Sequence, residues 1–266
     1  MEIWNTAITE TGAGQIRIRG YDVSALMRER SFADVLFLLH QSRLPSMGER
    51  RLLDAMLIAS ADHGPGSPSA LAARVVASGN RRAPEAAVAA GLLAIGDVHG
   101  GAGEECLVLL AEGLAWIADD ADADGDERSV ATAAAGIVAR AVREGKRLPG
   151  LGHRTHAEDP RATVLFAMAR ESGLAGSGVA LIEALRDEAA RVIRPLPVNV
   201  DGALAAVLLD LGFPPVAARF VFMVGRIAGL TAQVAEELTR ERPMRIRVPV
   251  SYDGPAARDV PRDPVP

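Results

Sequence analysis

Cysteine, aromatic residues and long apolar runs are all scarce in this sequence. Cys106 is the only cysteine, and 4% of the residues are aromatic. A single cysteine excludes an internal disulfide and a cysteine-based zinc cluster, and it suits a reducing compartment. No uninterrupted apolar run approaches the roughly 18 residues that span a membrane, and residues 1–5 have no signal-peptide pattern. We therefore expect a soluble, cytoplasmic protein whose cysteine packs in an apolar core.

An excess of basic residues is also missing. Lys and Arg number 29 and Asp and Glu 34, which gives a formal net charge of −5. The surface as a whole therefore offers no field that attracts nucleic acid or an anionic membrane, and any anion site must be local. The chain does have length and apolar content. Its 266 residues, 49% of them hydrophobic, can bury a large core in one domain or in two intimate subdomains.

Helical patterns dominate after a short hairpin-like stretch at residues 14–21, where apolar and polar residues alternate between glycines. Six of the predicted helices begin near residues 32, 47, 68, 84, 100 and 160. Five more are predicted over about 130–144, 178–193, 201–211, 215–224 and 226–238. The acidic run 119–126 is predicted to be a solvated loop, because the closing glutamate of a calcium loop is absent. The proline-rich tail holds one short predicted strand at 246–248, and beyond residue 253 we expect a mobile or partner-draped extension.

Polar side chains recur in turns and at helix starts. His99 lies in the glycine-rich stretch 96–105, His153 ends the turn 146–153, and Asp201 begins a helix after Asn199. The sequence has no HExxH metal motif, GxSxG elbow, GxGxxG dinucleotide turn or GxxxxGK[ST] loop, so no metal or tightly bound cofactor is expected. The remaining histidines, aspartate and arginines suit carbanion chemistry at a carbonyl. An aspartate can remove a proton next to a thioester, imidazoles can hydrogen-bond an enolate or ketone, and arginines can clamp carboxylates.

Five motifs, in this order, resemble those of the citrate synthase superfamily and cover the chain from about residue 30 to 255. They are His99-Gly100-Gly101-Ala102, residues 149–153 with Asp159-Pro160-Arg161, Asn199-Val200-Asp201, residues 225–229, and Arg242-Pro243. The resemblance implies an all-α fold with a short N-terminal β-hairpin. It also implies a large helical subdomain (residues 1–99 and 200–266) and a smaller one (100–199), with a cleft between them that closes during the reaction.

The resemblance further implies roles for individual residues. His99 resembles the histidine that stabilises the acetyl-CoA enolate, Asp201 the carboxylate base that forms it, and His153 the residue that polarises the oxaloacetate carbonyl. The residues implied to bind substrate carboxylates are His63, Arg161, Arg226 and, reaching over from the neighbouring subunit of a homodimer, Arg242. The turn implied to hold the adenine end of CoA comprises Leu148, Pro149, Gly150, Leu151 and Gly152.

Within the superfamily, the closer likeness is to citryl-CoA lyases. Residues 62–65, 91–97, 199–202 and 251–254 resemble that branch, and Gly202-Ala203 stand where citrate synthases more often have an aromatic pair. We therefore predict cleavage of the CoA thioester citryl-CoA to acetyl-CoA and oxaloacetate, with citrate activated by another protein because no ATP motif is present. A citrate synthase and a non-catalytic acyl-CoA-binding paralogue or partner subunit are the alternatives. Gln233 departs from the pattern, since the family usually has a histidine there.

Overall fold

The computed structural model describes residues 4–118, 129–153 and 157–261, and the acidic run at residues 119–126 lies outside them. A small antiparallel sheet opens the described chain and helices follow it. Strands β1 (Thr9–Gly12), β2 (Gln15–Ile18) and β3 (Tyr21–Asp22) pair in sequence order, with residue 9 opposite 18 and residue 18 opposite 21. The predicted hairpin is thus confirmed, and a third short strand extends it.

Eleven helices within the described residues make up the rest of the fold. They are α1 (Val23–Glu29), α2 (Phe32–Gln41), α3 (Met47–Ser60), α4 (Pro68–Gly79), α5 (Pro84–Leu93), α6 (Ala102–Ala118), α7 (Val130–Glu144), α8 (Pro160–Glu171), α9 (Ser177–Val192), α10 (Val200–Asp210) and α11 (Val216–Arg240). The predicted all-α class is therefore confirmed.

Local signals in the sequence set the starts of these helices. Ser31 and Ser46 each accept a hydrogen bond from the third residue of their helix, and that residue's carboxylate accepts one from the serine N–H, which completes two capping boxes. Pro68, Pro84 and Pro160 occupy the first turn of α4, α5 and α8, where a missing N–H costs nothing. These helix starts agree with the sequence expectations.

Helix α11 corrects one expectation, since the helices predicted at 215–224 and 226–238 are continuous. Gly225 lies inside α11, where the absence of a side chain lets α11 pack closely on α3. A Cβ at this position would lie 2.6 Å from the carbonyl oxygen of Leu57. The length and composition of α11 would allow it to span a membrane, but a buried core helix can have the same length and composition. It carries Arg226 and Glu237, both buried inside the protein.

The chain after α11 corrects a second expectation. Residues 246–248 have no regular secondary structure, so the strand predicted there is wrong. The segment begins with two tethers instead. The backbone N–H of Met244 donates to the carbonyl of Ser78 at 3.1 Å, and Arg245 Nε donates to the buried carboxylate of Glu237 at 3.0 Å. These contacts hold residues 244 and 245 against α4 and α11.

Two apolar clusters support the fold. The larger joins α2 and α3 with α6 to α10 and the start of α11, and it includes Cys106, which is fully buried as expected. The smaller joins α4, α5 and α11 through small and branched side chains such as Ala77, Leu230 and Val234. Burial raises the pKa of the Cys106 thiol, so this cysteine is a packing residue. The division into subdomains at residues 99 and 200 stays a prediction.

Candidate active site

One cleft of about 440 Å³ brings most of the predicted functional side chains together. Its walls come from the segment before α4, the turn before α6, the turn around residue 152 and the starts of α8 and α10, with α11 behind them. The predicted residues that line it are His63, His99, Gly152, His153, Arg161, Asp201 and Arg226. Side chains far apart in the sequence therefore meet at one site.

The turn that carries His99 is closed by its own backbone. The N–H groups of Gly96 and His99 each donate to the other residue's carbonyl at 2.9 Å, and Gly101 donates to the Gly96 carbonyl at 3.0 Å. Gly100 has a φ of 81°, and a Cβ there would clash with the ring of Phe222. Glycine is therefore required because α11 approaches the turn closely, and this contact sets the position of His99 at the cleft.

Ser69, in the first turn of α4, determines which nitrogen of His99 carries the proton. Its backbone N–H donates to His99 Nε2 at 3.3 Å, and its hydroxyl lies 2.9 Å from the same nitrogen. Because a backbone N–H can only donate, Nε2 accepts and the neutral ring carries its proton on Nδ1. Burial, followed by the positive charge of Arg226, lowers the pKa of His99 and favours the neutral form. His99 can therefore donate from Nδ1.

Arg226 is almost completely enclosed behind the cleft, with 1% of its surface exposed. Its Nε donates to the Ser60 carbonyl at 2.9 Å, Nη1 donates to the Ser69 hydroxyl at 3.0 Å, and the guanidinium lies 4.7 Å from the centre of the Phe222 ring. Nη2 is buried and has no hydrogen-bond partner in the described part of the chain. A buried cationic donor of this kind strongly favours an anionic acceptor in the cleft.

A second arginine is held by a buried carboxylate. Asp159 accepts hydrogen bonds from Arg161 Nε at 3.0 Å and Nη2 at 2.8 Å, and it also accepts the Val200 N–H at 3.0 Å. The remaining nitrogen, Arg161 Nη1, lies 3.2 Å from Nδ1 of His63. Since a guanidinium only donates, His63 accepts at Nδ1, and its own donor is Nε2. Partial burial and then Arg161 lower the pKa of His63, which favours this neutral form.

Asp201 lies in the first turn of α10, which Asn199 caps by accepting the Gly202 N–H at 3.1 Å. The Asn199 amide also donates to the Gly152 carbonyl at 2.9 Å, so the cap ties α10 to the turn that precedes His153. Burial raises the pKa of the Asp201 carboxyl, and the positive charges of Arg161 and Arg226 oppose that rise. The Asp201 carboxyl therefore keeps its proton to a higher pH than an exposed aspartate does.

The turn predicted to bind CoA packs directly on the start of α10. The Gly150 carbonyl accepts the Asn199 N–H at 3.0 Å, and a Cβ on Gly202 would clash with the Gly150 backbone. Leu148 and Pro149 line a separate cavity of about 490 Å³, together with Lys146. Of this turn, Gly152 is the residue that reaches the main cleft.

Arg242 stands apart from the other predicted site residues. It is exposed just beyond the end of α11, and it does not line the cleft of its own chain. Sequence reasoning also missed two residues that shape the site, Ser69 and Phe222. Ser69 follows the Ser67-Pro68 helix start, which indicates only a cap, and Phe222 belongs to an apolar run that indicates only core packing.

Comparisons with known proteins place the chain in a family. The sequence model of the family described as citrate synthase, C-terminal domain, matches residues 45–247. Putative citrate synthase 2 of Mycobacterium tuberculosis is 34% identical over 216 residues, which are 77% of this chain and 52% of that protein. Citrate synthase of Helicobacter pylori is 32% identical over 203 residues, 71% and 44% of the two chains. The chain spans about half the length of the curated relatives it matches.

Solved structures add two further likenesses. Citryl-CoA lyase from Hydrogenobacter thermophilus superposes with a TM-score of 0.88 and 37% identity, over 98% of both chains. ATP citrate lyase from Methanothrix soehngenii, solved in complex with citrate and coenzyme A, gives a TM-score of 0.81 at 20% identity, over 96% of this chain and 42% of that one. The second likeness shows the fold alone.

Fold and cleft together define a mainly helical enzyme with a carboxyl, imidazoles and guanidinium groups facing one cavity. The chain belongs to the citrate synthase family.

Proposed function

We propose that this protein is a citryl-CoA lyase, which cleaves citryl-CoA to acetyl-CoA and oxaloacetate. The observation that carries the proposal is the pairing of Asp201, a carboxyl whose pKa is raised by burial, with His99, a donor at Nδ1, at a cleft that also holds the unpaired Nη2 of Arg226. The citryl-CoA lyase from Hydrogenobacter thermophilus, 37% identical over nearly the whole length of both chains, supports the lyase direction.

Substrate binding uses the donors that the fold leaves available. Arg226 Nη2 and the Arg161 guanidinium bind the carboxylates of the citryl group, and His63 donates to the same end of the substrate from Nε2. Guanidinium groups already fixed by Ser60, Ser69 and Asp159 lose little freedom on binding, so they orient the substrate without large reorganisation.

Cleavage is a retro-aldol reaction. His153 takes the proton of the citryl hydroxyl, the carbon–carbon bond breaks, and the electron pair moves to the thioester as the hydroxyl carbon becomes the oxaloacetate ketone. His99 stabilises the enolate oxygen with its Nδ1–H. Protonated Asp201 then gives its proton to the enolate carbon to form acetyl-CoA. The proton gained by His153 replaces the proton lost by Asp201 by way of solvent.

Citrate synthesis is the second candidate, because the relatives from Mycobacterium tuberculosis and Helicobacter pylori carry citrate synthase names. The same groups would run the bond formation in the opposite direction, with Asp201 as base. A synthase must additionally hydrolyse the thioester and release free CoA. Thioester hydrolysis is therefore the step that separates the two candidates.

A pair of assays tests the proposal. Citryl-CoA is supplied with malate dehydrogenase and NADH to detect oxaloacetate, and acetyl-CoA is supplied with oxaloacetate and a thiol reagent to detect free CoA. Oxaloacetate formation without thiol release supports the lyase, and thiol release supports the synthase. No reaction in either assay, with CoA still bound, would support a non-catalytic acyl-CoA-binding protein instead.

The assembly belongs to the same proposal. We propose a homodimer in the cytoplasm, in which Arg242 of each chain completes the carboxylate site of its partner and the turn 148–152 holds the adenine end of CoA. The exposed position of Arg242, outside its own cleft, supports a role in the neighbouring subunit. The exposed apolar side chains Leu71 and Val75 of α4, and Ile227 of α11, support an interface on these helices.

A further inference from the structure

Gln233 bridges α4 and the segment that carries His63 through the hydrogen bonds of its side chain. It lies on α11, and its side-chain oxygen accepts a hydrogen bond from Arg74 Nη1 of α4 at 2.5 Å. Its side-chain nitrogen donates to both oxygens of Asp62, at 3.3 and 3.2 Å. Asp62 is the residue directly before His63 in the segment between α3 and α4.

Gln233 thus forms a bridge between Arg74 and Asp62, and the Arg74 end of this bridge is rigid. Arg74 is 6% exposed and its Nε donates to the carboxylate of Glu237 at 3.0 Å, where the Glu237 side chain is fully buried. The same carboxylate also accepts Arg245 Nε at 3.0 Å. A buried carboxylate held by two guanidinium groups keeps one geometry, because any displacement leaves a buried charge unpaired.

The Asp62 end, in contrast, is exposed and lies next to the cleft. Asp62 and His63 are both exposed, and the Asp62 carboxylate accepts the Gly64 N–H at 3.1 Å, which makes a local turn around His63. The chain here rests on α11, where a Cβ on Gly229 would clash with the Ala61 carbonyl and lie 3.0 Å from the Cβ of Asp62. The Gln233 amide is therefore the side-chain link between this exposed turn and the buried Arg74–Glu237 pair.

We propose that Gln233 is a positioning residue for His63 and, through it, for the substrate carboxylate. The amide holds Asp62, and Asp62 orients the turn that presents His63 to Arg161, 3.2 Å away. The inference rests on the proposed function only for the identity of the carboxylate. Gln233 does not line the cleft and touches no reacting atom.

The hydrogen bonds of Gln233 also hold the Asp62 carboxylate, which could otherwise compete with the substrate carboxylate for Arg226. The Asp62 carboxylate is close enough for its negative charge to act on Arg226. Without the Gln233 donor, Asp62 would retain one hydrogen bond from the Gly64 N–H and be free to swing toward the guanidinium that the substrate needs. Loss of Gln233 should therefore weaken substrate binding more than it slows the chemical step.

Three variants test this role. Gln233→Leu removes both hydrogen bonds at similar size. Gln233→His restores them, because a neutral imidazole has one donor nitrogen for Asp62 and one acceptor nitrogen for Arg74. Gln41→Leu is the matched control, since Gln41 donates to the Gly212 carbonyl and neither residue lines the cleft. We expect KM for oxaloacetate or citryl-CoA to rise about tenfold in Gln233→Leu, with kcat within about threefold and recovery in Gln233→His.

A second measurement needs no substrate. Nitrogen-15 spectra of the histidine rings, with the His63 signals assigned by a His63→Gln variant, report the environment of Nδ1 directly. We expect Gln233→Leu to move the His63 signals and Gln41→Leu to leave them in place. Unmoved His63 signals, or an unchanged KM in an active enzyme, would overturn the positioning role while the proposed function stood. An inactive wild-type protein that binds no oxaloacetate, with His63 signals that do move, would overturn the function and the identity of the ligand but not the link between Gln233 and His63.

Discussion

The Ser69 hydroxyl lies 2.9 Å from Nε2 of His99, on a nitrogen that already accepts the Ser69 backbone N–H. Since Arg226 Nη1 donates to that same hydroxyl, the hydroxyl proton is free to point at His99. One serine thus fixes the tautomer of the imidazole and joins it to the buried guanidinium. One residue, through its backbone N–H and its hydroxyl, therefore contacts both His99 and Arg226.

The first prediction concerns that serine. Ser69→Ala should lower kcat about fivefold to tenfold, because the side-chain bond is lost while the backbone N–H still holds Nε2. Ser78→Ala is the matched control on the same helix, since the Ser78 hydroxyl is buried and has no hydrogen-bond partner among the described residues. Steady-state kinetics of both variants check this. Equal rates in the two would show that the hydroxyl does not support His99.

The second prediction concerns the pH dependence that Asp201 imposes. Burial raises the pKa of this carboxyl, so its protonated form persists to higher pH than in an exposed aspartate. Cleavage of citryl-CoA, which uses Asp201 as an acid, should therefore slow as pH rises through that pKa. Condensation, which uses it as a base, should accelerate over the same range. Asp201→Asn should remove this dependence of the rate on pH and lower kcat by about 10²-fold to 10⁴-fold.

The same raised pKa also affects stability. The folded protein binds the Asp201 proton more tightly than the unfolded chain does, so this favourable contribution is full below the unfolded pKa of about 3.9 and is lost as pH rises through the folded pKa. Above the unfolded pKa the Asp201 carboxyl therefore destabilises the fold. Asp201→Asn should have a higher Tm than the wild-type protein at pH 7, and the difference in Tm should be smaller at pH 4. A lower Tm of Asp201→Asn at pH 7 would contradict a raised pKa of this carboxyl.

The third prediction concerns the unpaired nitrogen of Arg226. Arg226→Met should raise KM for oxaloacetate or citryl-CoA about 10-fold to 100-fold, the value of a charged hydrogen bond. It should also abolish the rise in Tm that oxaloacetate gives the wild-type protein. Arg81→Met is the control, because Arg81 donates to the last carbonyls of α11, those of Glu237 and Leu238. That variant should have a lower Tm and keep the oxaloacetate effect.

Sequence patterns were sufficient where the information is local. The capping serines Ser31 and Ser46 stand three residues from their partners, so the helix starts could be read directly. The contacts that organise the cleft are not local. His99 and Ser69 are 30 residues apart, and Gln233 and Asp62 are 171 apart. No periodicity encodes such pairs, and the order of the motifs indicates which residues matter without indicating what holds them.

The continuous helix α11 illustrates the same limit. In the sequence, Gly225 predicts a break between two helices, because glycine has low helix propensity. The structure gives the reason for a glycine at this position, since the Leu57 carbonyl of α3 leaves no room for a Cβ. The glycine therefore serves a contact between two helices that are distant in the sequence.

The fourth prediction concerns the contact between the turn 148–152 and α10. Gly202→Ala should place a methyl group against the Gly150 backbone and displace the start of α10, which carries Asp201. We expect a loss of about 1–3 kcal/mol in the free energy of unfolding, together with reduced kcat. Gly136→Ala is the control, because no atom of the described residues lies within 4 Å of the Cβ position of this helical glycine and alanine should stabilise α7 by up to about 1 kcal/mol. Chemical denaturation of both variants measures the difference.

The fifth prediction tests whether Arg242 acts in the partner's site. Arg242→Ala and Asp201→Asn should each be inactive alone. When the two are unfolded and refolded together, half of the dimers are mixed, and each mixed dimer contains one site with both an intact Asp201 and an intact Arg242. Activity should therefore recover to about one quarter of the wild-type value, as two-fold symmetry requires. If Arg242 served its own chain, no mixed dimer would contain an intact site and the mixture would stay inactive. An Arg240→Ala variant, at the exposed last residue of α11, controls for loss of charge at this surface and should stay active.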